Sequence, residues 1–205
     1  AWQLALGFAL VGELGALYFS LIRPRAILAG IFFALAFGNR TELILLAPLF
    51  LFLLCGSANV WPISSEKWRR ILGFCIAPCI LGFATLAYNQ ARFLSPFDFG
   101  YERIPFLLDD PFYAGGFFSW RGIEPNFRTM FLMPWASQAD FPWIRPSGTG
   151  ESIFMVSPFL LLCFRARARN RLHWALSWLS IAVLTMVLFL HGNAGGYQFG
   201  YRYGI

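Results

Sequence analysis

The stretch NQARFLSPFDFGYER, residues 89–103, decides how the rest of the chain is read. It follows an apolar run that ends at Tyr88 and opens the longest polar segment of the sequence, which extends to about Glu151. In fifteen residues it sets Arg92, Asp98, Glu102 and Arg103 among Phe93, Phe97, Phe99 and Tyr101. The segments on either side are apolar and long. The chain therefore reads as membrane helices that hold up one aromatic, charged loop.

Composition agrees. Only 13% of the 205 residues are charged and 58% are hydrophobic, against about a quarter charged in a soluble domain. Runs of this length and polarity place the chain among integral membrane proteins. The net charge of +6 does not indicate a nucleic-acid partner, because the basic residues sit in short clusters between apolar runs, as membrane topology places them. Cys55, Cys75, Cys79 and Cys163 lie in apolar runs or at their ends. They form no disulfide pattern and no metal-ligand spacing with His173 or His191, and read as small buried apolar residues. No cofactor is implied. The chain opens at Ala1 inside an apolar run and closes at Ile205 in a Gly- and Tyr-rich stretch, so it is expected to be an internal piece of a longer protein.

In order, the first span covers Trp2 to Ile22 and carries Glu13 between Gly12 and Gly15. An acid at that depth either serves a site or makes a structural hydrogen bond where the glycines let another helix approach. Residues 26–54 are apolar except for Gly38-Asn39-Arg40-Thr41-Glu42. One helix there would run roughly 43 Å, too long for a hydrocarbon core of about 30 Å. Two short helices with a turn at Gly38 fit better, as broken segments do beside a cavity. Arg40 and Glu42 then either reach a site or form a local ion pair in an ordinary turn. Ile71 to Tyr88 follows, with a kink expected at Pro78. Ser152 to Phe164 and Leu172 to Leu190 are the last two apolar runs. Within the long loop, residues 126–135 (NFRTMFLMPW) have the pattern of a short interfacial helix.

The expected fold is an all-α polytopic membrane protein: about six transmembrane or half-spanning helices and a long outer-face aromatic loop, residues 89–151, in a single membrane domain, 1–205. Arg23 and Arg25, then Lys67, Arg69 and Arg70, then the arginines of 165–171 fall on one side, which marks it as cytoplasmic. The long loop, the Gly38–Glu42 turn and the C-terminal tail fall on the other. Most acids, Asp98 and Glu102 among them, collect on that outer face. These two are four apart, but Pro96 and Gly100 argue against a regular helix there.

Three stretches carry a resemblance. The first is Tyr88-Asn89, Arg92-Phe93 and Ser95-Pro96-Phe97-Asp98-Phe99-Gly100-Tyr101. The second is Gly195 to Tyr203, a Gly, aromatic, Phe-Gly, aromatic, Arg-Tyr run. The third is Ala29-Gly30 through Arg40, followed by Pro48. Together they resemble bacterial multi-pass glycosyltransferases of the C-type superfamily, similar to protein mannosyltransferases that use lipid-phosphate sugars. The resemblance implies a polyprenyl-phosphate-linked sugar as donor and transfer at the outer face of the cytoplasmic membrane, with inversion. It implies Arg40, Arg92, Asp98, Tyr101 and Arg202 as substrate-binding or site-shaping residues. It places the catalytic Asp in a first outer loop, for which this sequence has no counterpart, so no residue here is assigned as catalytic. The partners expected are membrane lipid and the polyprenyl-phosphate sugar. Two rivals stand beside this reading: a transporter or flippase of lipid-linked glycans, which also uses broken helices, and a non-catalytic membrane scaffold.

Overall fold

The computed structural model describes residues 2–56, 64–100, 103–105, 111–113, 115–145, 150–167 and 170–192. They are mostly helical, and they divide into two compact units. One comprises residues 1–101 with 170–180; the other comprises 102–169 with 181–205.

The first unit begins with α1, Trp2–Leu17, which continues through a π turn at Tyr18–Ile22. After Arg23-Pro24-Arg25 comes α2, Ala26–Asn39. The two helices meet along small residues. A Cβ on Gly12 would lie 2.7 Å from the Ala36 backbone nitrogen, and Ala9, Ala16, Ala29 and Ala36 are buried. Such a seam suits lipid, where helices associate through close van der Waals contact rather than hydrophobic expulsion. Glu13 lies on this helix between the two glycines, half-buried, and its carboxylate makes no hydrogen bond among the described residues.

The apolar segment after α2 is broken, as its length requires. The break falls at Arg40, whose backbone is extended (φ −140°, ψ 95°), two residues beyond the Gly38 expected from sequence. A 3-10 turn, Thr41–Leu46, follows, and then α3, Ala47–Cys55. Pro48 sits in the first turn of α3, where its missing N–H leaves no bond unmade. α4 then runs unbroken from Ser65 to Phe93, through Pro78. Ser64 caps its start by accepting from the Lys67 N–H, and Arg70 binds both Glu66, at 2.8 Å, and the Leu54 carbonyl at the end of α3, at 3.0 Å. Phe33, Phe50 and Phe74 fill the middle of the unit, with Phe33 5.2 Å from each of the other two rings. Gly30 lets α2 come onto the backbone of α4 at Phe74.

The second unit holds the long loop. Short helix α5, Ile123–Phe127, passes into a π turn, Arg128–Leu132; of residues 126–135, read as one short helix, 126–132 are helical and 133–135 are not. A small hairpin pairs β1, Ala136–Ser137, with β2, Ile144–Arg145. Helix α6, Ile153–Val156, is followed by a 3-10 helix, Pro158–Arg165. Met130, Ile153 and Phe189 form the core, with Phe131 and Phe154 packed around it. The unit closes with the end of α7, Arg171–Leu190; residues 170–180 of that region belong to the first unit, where His173 meets Phe52 edge to face.

Among the described residues, three helices are long and apolar enough to cross a bilayer: Leu4–Ile22, Ser65–Phe93 and Arg171–Leu190. Their apolar side chains face outward, as at Leu10, Leu14, Ile76, Ile80, Phe83, Leu179 and Ile181. Ala26–Asn39 and Thr41–Cys55 are shorter apolar helices. Of the about six transmembrane or half-spanning helices expected, these three have full spanning length and these two are shorter. The run Ser152–Phe164, read as one of them, is two short helices separated at Ser157, because Pro158 disfavours helical geometry in the residue before it and Ile153 and Phe154 are drawn into the core of the second unit.

Candidate functional site

The C-terminal end of α4 carries the residues on which the sequence reading rests. The helix stops at Leu94, which takes the left-handed conformation (φ 60°) and bonds back to the Gln90 carbonyl. Asn89 is buried and donates through Nδ2 to the Pro96 carbonyl at 3.2 Å, so the turn is fastened to the helix from inside. Gly100 follows at φ +78°, over the Phe93 ring, where any Cβ would lie 2.7 Å from the ring. Its N–H donates to Asp98 Oδ1 at 2.7 Å. Asp98 thereby shapes the turn. It lies beyond the end of α4 in non-helical backbone; Glu102, the other acid of the pair, lies outside the described residues.

Arg92 sits in the last turn of α4 and is exposed. Its guanidinium donates to the Tyr88 hydroxyl at 2.8 Å and lies 5.0 Å from the centre of the Phe93 ring. These neighbours are neutral. No carboxylate among the described residues pairs with Arg92, and Phe97 and Phe99 stand exposed in the turn that follows. A guanidinium carries five N–H donors in a planar fork, and the Tyr88 hydroxyl engages one nitrogen of this one. The arrangement suits an anion that brings apolar surface with it.

Arg40 is placed differently. Its guanidinium is mostly buried and forms an ion pair with Glu42, the same carboxylate oxygen also accepting from Nε at 2.6 Å. This is the local ion pair that the sequence allowed. Tyr101 and Arg202 lie outside the described residues.

The second unit contains a feature that sequence reading missed. Asn126, 1% exposed, donates through Nδ2 to the carbonyls of Phe189 at 3.0 Å and His191 at 2.6 Å, with Leu188 at 3.4 Å. A helix leaves its last carbonyls without partners, and here one buried amide serves the end of α7. Gly122 makes room for it, since a Cβ there would lie 2.8 Å from the Phe189 and His191 oxygens. Ser119 N–H to the Leu190 carbonyl and Gly192 N–H to the Phe117 carbonyl complete the seam. Beside it opens a cleft of about 220 Å³ lined by Gly115, Ser119, Arg121, Gly122, Pro125 and Gly192 among others. Arg121 supplies its charge. Among the described residues that line it, none is acidic.

Among the described residues, no three or more His, Cys, Asp or Glu side chains are grouped so as to hold a metal ion. In comparisons with known protein families, curated proteins and solved structures, the chain matches none.

Proposed function

We propose that this chain is part of a membrane glycosyltransferase that moves a sugar from a polyprenyl-phosphate donor to an acceptor hydroxyl at the outer face of the cytoplasmic membrane. The observation that carries the reading is Arg92: a cation at the end of an apolar helix long enough to span, framed by aromatic rings and paired with no described carboxylate. A lipid-phosphate sugar presents the matching chemistry. Its phosphate takes the guanidinium, and its isoprenoid and sugar surfaces lie against rings.

In the transfer, the acceptor oxygen attacks the anomeric carbon while the bond from that carbon to the phosphate oxygen breaks. The polyprenyl phosphate leaves with the electron pair. The acceptor's proton goes to a carboxylate base, a role for which no residue here is assigned. Arg92 would hold the donor phosphate and stabilise the charge it gains on departure. Arg40, tied to Glu42, keeps the break in residues 38–42 in shape, and Asp98 shapes the turn that follows Arg92.

Arg92→Ala is expected to weaken binding of polyprenyl phosphate at least tenfold, since a charge-assisted hydrogen bond contributes about 1.5–3 kcal/mol. Arg92→Lys keeps the charge but not the planar fork and should fall between the two. Photo-crosslinking of a benzophenone-bearing polyprenyl phosphate to the protein in membranes measures this directly. Equal labelling of wild type and Arg92→Ala would remove Arg92 from the donor site.

A further inference from the structure

The aromatic residues of the long loop do not behave alike. Phe131 packs onto Phe189, and Phe127 touches the same ring while staying 43% exposed. Phe141 and Trp143 turn outward, 78% and 62% exposed. They lie at the tip of the β1–β2 hairpin, whose register sets Ala136 opposite Arg145 and Ser137 opposite Ile144. The Gln138 N–H donates to the Trp143 carbonyl at 2.9 Å, and the Trp143 N–H to the Asp140 carbonyl at 2.7 Å. The two rings meet edge to face, 5.1 Å between centres. The tip is thus a small built structure with its apolar side outward.

Trp143 also has φ 63°. That left-handed conformation favours glycine or asparagine, and for a bulky residue it is a departure with a cost. Burial does not offset the cost here, because the indole is exposed. A strained position that keeps a large exposed ring points to something outside the described fold that the ring serves.

We propose that Phe141 and Trp143 form a wedge seated in the interfacial layer of the bilayer. Exposed Arg145, at the foot of the hairpin, lies within reach of anionic head groups. Two observations favour lipid over a protein partner. The chain carries three helices long and apolar enough to cross a membrane, and tryptophan is enriched at the depth where head groups meet acyl chains. A tip of two rings is also far smaller than the roughly 800 Å² per partner that a stable protein interface covers. The inference rests on the membrane reading of the chain and is independent of the transfer chemistry.

The test uses the full chain in phosphatidylcholine–phosphatidylglycerol vesicles, with lipids brominated either near the head group or near the chain end. The emission that separates wild type from Trp143→Gly reports on this indole. It should be quenched by the shallow bromines, weakly by the deep ones, and be shielded from acrylamide. Trp143→Gly should melt within a few degrees of wild type, because the left-handed backbone cost it removes offsets the freedom glycine adds to the unfolded chain. Quenching by acrylamide alone would put the tip in water and overturn the proposal. Shielding from both quenchers would put it against protein, and a clear fall in the melting temperature of Trp143→Gly would make the indole structural; either result also overturns it. If bromolipids quench no tryptophan, Trp174 and Trp178 of α7 included, the membrane reading itself fails.

Discussion

Gly30→Ala is expected to lower the melting temperature of the detergent-solubilised protein by roughly 6–12 °C, corresponding to about 3 kcal/mol in a chain of this size. The reason is local and severe. A Cβ on Gly30 would lie 2.1 Å from the Phe74 carbonyl oxygen and 2.9 Å from its carbon. Both are backbone atoms of α4, so no side-chain rotation relieves the overlap. The helices must separate, and the Phe33–Phe50–Phe74 cluster opens with them. Gly82, on the same α4, is the control. Nothing lies within 4 Å of its Cβ position, so Gly82→Ala should leave the melting temperature unchanged or raise it slightly through helix propensity. Equal effects from the two substitutions would contradict the close approach of α2 and α4.

Asn126→Asp is the second large effect. The change is nearly isosteric, but it replaces two N–H donors with oxygen lone pairs facing the carbonyls of Phe189 and His191. The last carbonyls of α7 lose their partner and face a carboxylate, at a cost on the order of 3 kcal/mol. The penalty should depend on pH. Repulsion by the carbonyls raises the folded-state pKa of the new acid above its unfolded value of about 3.9. Below that value both states are protonated and the penalty is smallest. It grows as pH rises from there through the folded-state pKa, because the unfolded chain ionises first. Asn126→Ala, which merely orphans the carbonyls, should cost about 1–3 kcal/mol and show no such slope. Melting curves at pH 4 and pH 8 separate the cases. A pH-independent Asn126→Asp would show that the amide does not face these oxygens.

Much of this architecture was legible because the chain violates lipid solubility at identifiable points. Arg40 and Glu42 inside an apolar run too long for one span foretold a break, which falls at Arg40 and not at Gly38 because helix hydrogen bonding persists through Asn39. Pro96 and Gly100 foretold that α4 would not continue through Asp98. Gly12 and Gly15 foretold a close helix neighbour, though not which one. The run Ser152–Phe164 misled, because a short apolar stretch reads alike whether it faces lipid or a small protein core. Asn126 could not be found at all: its partners lie 62 to 65 residues away in sequence, and nothing local marks an asparagine that caps a distant helix. At the candidate site, the sequence supplied the cations but not their pairing. Arg40 and Arg92 look equivalent as letters. Only the fold shows that Glu42 holds the first while the second faces neutral rings.

The donor chemistry is tested most directly by turnover. Membranes containing the full-length protein would receive a panel of radiolabelled polyprenyl-phosphate sugars, beside membranes containing an Arg92→Ala variant that inserts to the same level. Label passing from one donor of the panel to an acceptor, with the rate reduced tenfold or more by Arg92→Ala, is the expected result. No consumption of any donor would contradict it; with lipid-linked glycan still crossing the bilayer the protein is a carrier, and without such movement a scaffold.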